Sequence, residues 1–140
     1  MTRRCESQRS AAMLAIDTNI VVRYVTGDGG DEFARAVHII ENNPVSLSLT
    51  VVLETEWVLR DAYEFPRDDI LSAFESLFGL PNVAVVEPLV LRRAITLAQS
   101  GLDFADALHV AQLSDRDIFV TFDKTLAKRA SRRGLSVRLA

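Results

Sequence analysis

Four acidic side chains fall where a chain of this pattern could do chemistry: Asp17, Glu54, Asp106 and Asp123. Asp17 closes the short apolar run Met13-Leu14-Ala15-Ile16, and Asp123 follows Ile118-Phe119-Val120-Thr121-Phe122 in the same way. Asp106 lies in Leu102-Asp103-Phe104-Ala105-Asp106-Ala107-Leu108-His109-Val110-Ala111, which reads as a helix start with Gly101 as the break and Asp103 as N-cap. At ~100° per residue it shares a stripe with Val110 and Leu113, so its carboxylate is expected to face the protein. Glu54 and Glu56 point ~200° apart on a helix. With Glu56 in the ion-pair row Glu56, Arg60, Glu64, Glu54 is expected inward, between Trp57 and Val58. Each acid also has a plain structural role open to it: caps for Asp17 and Asp123, a buried hydrogen bond for Glu54, a capping arrangement with Asp103 for Asp106.

Gathered in one pocket, four carboxylates would repel and would hold either protons or a cation. A hard divalent ion, Mg²⁺ or Mn²⁺, suits oxygen ligands, keeps several waters, and leaves room for a phosphate oxygen and a nucleophilic water. Metal-assisted phosphodiester hydrolysis is the chemistry such a set would serve.

The elements that would carry these acids alternate between strand and helix. Apolar runs at 13–16, 45–49, 83–86, 118–121 and 136–139 read as strands, and helical spacing recurs over about 31–43, 50–64, 67–78, 88–100 and 124–133. Strands apolar throughout, alternating with helices, imply an α/β fold with a central, mostly parallel sheet of about five strands covered on both faces. Ligands of open parallel sheets bind beyond the carboxyl ends of the strands, the edge on which Asp17 and Asp123 fall.

A length of 140 residues, 49% of them hydrophobic, suits one domain over 13–140, with the polar residues 1–12 as a disordered extension. The formal charge of -3 argues against a protein that holds nucleic acid by overall charge. Local cations remain, and Arg23, Lys124 and Lys128 are candidates for phosphate contact. The single cysteine, Cys5, excludes an internal disulfide, and no run reaches the ~18 apolar residues of a membrane helix, so a cytoplasmic protein is expected. No Gly-x-Gly-x-x-Gly or Walker-type motif supports nucleotide-cofactor chemistry. His109 reads as a partly exposed polar contact, Trp57 as core, and the apolar faces of Ile70, Phe74, Leu77 and of Val51, Val58 as helix packing or a groove for a partner helix.

Four motifs in order, Ile16-Asp17-Thr18-Asn19, Leu53-Glu54-Thr55-Glu56-Trp57-Val58-Leu59, Asp103-Phe104-Ala105-Asp106-Ala107-Leu108-His109 and Val120-Thr121-Phe122-Asp123-Lys124, make the chain resemble a PIN-domain ribonuclease, and more closely a VapC-type toxin of a toxin–antitoxin pair. The resemblance implies a three-layer α/β/α domain and Mg²⁺- or Mn²⁺-dependent cleavage of RNA. It maps the ligand set to Asp17 and Asp106, with Glu54 and Asp123 acting directly or through water, and assigns Asn19, Asp103 and Thr121 auxiliary roles. It further implies a homodimer and inhibition by a cognate antitoxin. Two other functions fit less of the pattern: a PIN-fold RNA-processing nuclease without an antitoxin, and a phosphoacceptor signalling domain, which wants paired acids at the first strand's end where this chain has one. A catalytically silent binding partner would have no use for all four acids.

Overall fold

The computed structural model describes residues 12–140. The expected disordered extension over residues 1–12 therefore lies outside the described residues, apart from Ala12. The chain forms two compact units, one closing at Val86 and the other running Glu87–Ala140.

The first unit runs β1 (Leu14–Ala15), α1 (Thr18–Thr26), α2 (Asp31–Asn42), β2 (Val45–Leu47), α3 (Leu49–Asp61), α4 (Arg67–Phe78) and β3 (Val83–Val85). The strands pair in parallel in the order β1-β2-β3, with Leu14 opposite Val45 and Ser46 opposite Ala84. Helices carry each crossover, as parallel pairing requires. Val45 and Leu47 are fully buried, and Ile40, Leu59, Ile70 and Phe74 join them in the core. The apolar face of α4 is thereby used up: Ile70, Phe74 and Leu77 are each at most 3% exposed, and Phe74 stacks on Phe78 with ring centroids 5.4 Å apart. The expectation of a partner groove at these residues gives way to ordinary packing.

Helix α3 stops at Asp61, three residues short of the expected end at Glu64. Glu64 takes a left-handed conformation, φ 55°, and the Phe65 amide turns back to the Leu59 carbonyl at 3.0 Å, which satisfies the helix end before Pro66.

The second unit runs α5 (Pro88–Gln99), α6 (Phe104–Ala111), β4 (Phe119–Thr121), α7 (Lys124–Arg132) and β5 (Val137–Leu139). Buried alanines on both α5 (Ala94, Ala98) and α6 (Ala107, Ala111) let these two helices pack closely. Gly101 joins them at φ 112°, a conformation that favours glycine. Strands β4 and β5 pair in parallel, Phe119 opposite Val137 and Thr121 opposite Leu139, with α7 as the crossover. Among the described residues the first unit thus holds three strands and the second two, paired in parallel within each unit. With two or three residues per strand, each pairing rests on very few rungs.

Candidate active site

In the second unit the acids occupy helix starts. Asp103 caps α6, its Oδ2 accepting from the Asp106 amide at 3.3 Å. Asp106 follows in the first turn and is half-buried, where the sequence led us to expect it against the protein. Burial pushes its carboxyl above the ordinary carboxylate range, the negative charges of Asp103 and then Asp123 push it further, and His109 partly offsets them. Asp123 caps α7 through Oδ1, which accepts from the Leu126 amide at 3.0 Å. Its own amide donates to Thr121 Oγ1 at 3.0 Å, so the threonine fixes the main chain that carries the acid. His109 is exposed, with its ring stacked on Phe119 at a centroid distance of 6.1 Å. Lys124 and Lys128 are exposed on α7.

In the first unit Asp17 is exposed at the end of β1 and caps α1, its Oδ1 accepting from the Thr18 amide at 2.7 Å. Asn19 is exposed in the first turn of that helix, at the rim of an open pocket of about 230 Å³. Arg23, expected as a phosphate contact, is committed elsewhere: it pairs with Asp28 at 3.1 Å and Glu32 at 3.2 Å.

The orientation of α3 corrects the sequence reading. Val52, Thr55, Glu56 and Leu59 form its buried row, so Glu56 faces inward at 6% exposure while Glu54 is exposed. The buried glutamate is tolerated because Arg60 Nε donates to its Oε1 at 2.9 Å, with the arginine side chain reaching out to 45% exposure. Thr55 is satisfied within the helix, its hydroxyl donating to the Val51 carbonyl at 2.7 Å. Trp57, expected in the core, is 53% exposed. The row through Leu53 and Trp57 looked more apolar than the true one, which contains a threonine and a glutamate.

One family model, the PIN domain, matches residues 14–131, most of the chain and both units. The chain belongs to the PIN domain family. No curated protein matches it. PIN domains are generally nucleases and typically use divalent metal ions, so the family match favours hydrolysis over the phosphoacceptor reading.

The acids of this PIN domain suit a hard cation chemically, since they offer only oxygen, and Asp106 carries the like-charge repulsion that a cation relieves. They do not enclose one: among the described residues no three Asp, Glu, His or Cys side chains stand in a group able to hold a metal ion. Nor is any described helix long and apolar enough to cross a membrane. The residue that sequence reasoning passed over is Phe122, 88% exposed directly before Asp123.

Proposed function

We propose that this PIN domain is a metal-dependent endoribonuclease and the toxin of a toxin–antitoxin pair, acting in the cytoplasm. The observation that carries the proposal is Asp106, a half-buried acid whose carboxyl is raised by burial and by Asp103 and Asp123, inside a chain of a nuclease family. Asp17 and Asp106 would hold Mg²⁺ or Mn²⁺, with Glu54 and Asp123 acting directly or through water. The ion supplies the activation of water and the neutralisation of charge on the reacting phosphate.

The chain's own residues supply placement. Asp103 fixes the first turn of α6 and with it the backbone of Asp106. Thr121 does the same for Asp123. Asn19, exposed beside Asp17's helix cap, is offered as a group that orients water or carboxylate. Lys124 and Lys128, exposed on α7, present positive charge to RNA phosphates. Arg23 could contribute only by giving up Asp28 and Glu32. The VapC-like motifs support two further parts of the proposal, a homodimer and an antitoxin that presents a basic residue to the acids.

The test is cleavage of an RNA panel in Mg²⁺, Mn²⁺ or EDTA by the parent, Asp17→Asn and Asp106→Asn. Metal-dependent cleavage lost in both variants is expected. Cleavage that survives in both would refute the assignment. An adjacent reading frame encoding a small protein that inhibits the parent is expected for the toxin; without one, the RNA-processing alternative stands.

A further inference from the structure

The turn between α5 and α6 closes the end of α5 by itself. The Gly101 amide donates to the Ala98 carbonyl at 3.0 Å and the Leu102 amide to the Leu97 carbonyl at 3.2 Å, the pair of bonds by which a helix ending in glycine satisfies its last carbonyls. The Gly101 carbonyl lies beyond that closure, in the short link to α6. Arg129 takes it: Nη1 donates at 2.7 Å from α7, across 28 residues of sequence. A cation at the carboxyl end of a helix ordinarily serves the helix's own carbonyls and dipole. Here the carbonyls of Leu97 and Ala98 are already paired, so the arginine constrains what comes after α5.

What comes after is the start of α6. Leu102 is buried, and Asp103 then caps the helix, its Oδ2 accepting from the Asp106 amide at 3.3 Å and its carbonyl from the Ala107 amide at 2.8 Å. At the other end of the arginine, α7 is seated by Leu126, Ala127 and Ala130, all buried, and opens at Asp123. The guanidinium thus links the turn that begins the helix of Asp106 to the helix that Asp123 begins. The two acids repel, since Asp123 lies near enough to act on the charge of Asp106. A link between the elements that carry them opposes their drifting apart, and a hydrogen bond from a charged donor is roughly twice as strong as a neutral one.

We propose that Arg129 is a positioning residue of the acidic site: by holding the Gly101 carbonyl it sets the start of α6 against α7, and with it the spacing of Asp106 from Asp123. The proposal rests on the nuclease reading above. Spacing of this kind matters because a misplacement of ~1 Å at reacting groups can cost about 100-fold in rate.

The test compares the parent with Arg129→Met, which keeps a stem without a donor, Arg129→Lys, which keeps charge and a donor, and Arg132→Met, which removes a charge from the same exposed helix surface. Mn²⁺ uptake is followed by electron paramagnetic resonance without RNA, and kcat and KM for RNA cleavage are measured at saturating Mn²⁺ over a range of salt. Every value is taken per folded molecule, with folding checked by circular dichroism. Arg129→Met is expected to weaken Mn²⁺ uptake and to lower kcat, each by about 10- to 100-fold, as loss of a group that orients ligands does. Its KM and the salt dependence of KM are expected to stay at the parent's values. Arg129→Lys is expected to recover most of the loss, and Arg132→Met to match the parent. The proposal is overturned if the loss falls on KM and its salt dependence while Mn²⁺ uptake is intact, which would make Arg129 a phosphate contact. It is equally overturned if Arg129→Met lowers only the melting temperature, or if Arg132→Met does the same damage. A parent that takes up Mn²⁺ and cleaves RNA while Arg129→Met matches it loses only the arginine's role. A parent that does neither loses the nuclease reading as well.

Discussion

Replacing Asp106 with asparagine in metal-free protein is expected to stabilise it. The side chain keeps its shape, and the forces acting on the carboxyl are burial and the charges of Asp103 and Asp123, against a smaller opposing effect of His109. All the larger ones disfavour the ionised form. The folded-state pKa is raised, so the native protein binds more protons than the unfolded chain between the ordinary value of 3.8 and the raised one. Stability therefore falls as pH rises through that window, and the deficit is fully present above it. Because the group is only half-buried, solvent screens the repulsion, and relief of two like-charge contacts is worth about 1 kcal/mol at most. For a chain of this size that is a rise in Tm of roughly 2–4 °C. Thermal unfolding followed by circular dichroism in EDTA, from pH 4 to 8, is expected to show the variant ahead at pH 7 and the two converging toward pH 4. Adding Mn²⁺ is expected to raise the Tm of the parent and not of the variant, since only a protein that binds the ion gains from it. A variant less stable than the parent at pH 7 in EDTA, or a gap indifferent to pH, would refute the electrostatic account of Asp106.

The two glutamates of α3 are expected to separate cleanly. Glu56→Ala removes the buried carboxylate and its ion pair with Arg60 and costs about 1–2 kcal/mol in urea unfolding while cleavage per folded molecule persists, and Glu54→Gln changes stability by less than ~0.5 kcal/mol but abolishes cleavage. At Asp123 the cap and the charge can be told apart: Asp123→Ala is expected to lose ~1 kcal/mol, whereas Asp123→Asn retains most of that stability, and both lose activity in the same RNA assay. Phe74→Ala is expected to cost 3–5 kcal/mol, read from the denaturation midpoint, because its ring is fully buried between α4 and the rest of the first unit's core.

Local chemistry was the legible part of this sequence. The cap at Asp103, the helix over Arg67–Phe78 and the turn from β1 into α1 at Asp17 all depend on residues within a few positions of one another, and each stands where the sequence puts it. What depends on distant partners was not legible. Which glutamate of α3 faces inward is decided by the buried row from Val52 to Leu59, whose Thr55 and Glu56 disguise it as a polar face. The engagement of Arg23 crosses the glycine-rich loop to Asp28 and Glu32, outside any helical spacing that begins at the arginine. Which strands become neighbours within the first unit depends on which edges meet, and a run such as Leu14-Ala15 carries no mark of its partner Val45-Ser46. For the candidate site, residue types and their placement at strand ends and helix starts could be read off the chain. The exposure of Glu54 and Phe122 could not.

The central claim is that these acids exist to bind a divalent ion, and Mn²⁺ binding followed by electron paramagnetic resonance tests it without any substrate. The parent is expected to take up Mn²⁺ stoichiometrically, with binding lost in Asp17→Asn and in Asp106→Asn and competed by Mg²⁺. Uptake that is absent in the parent, or that survives both substitutions unchanged, would contradict the account.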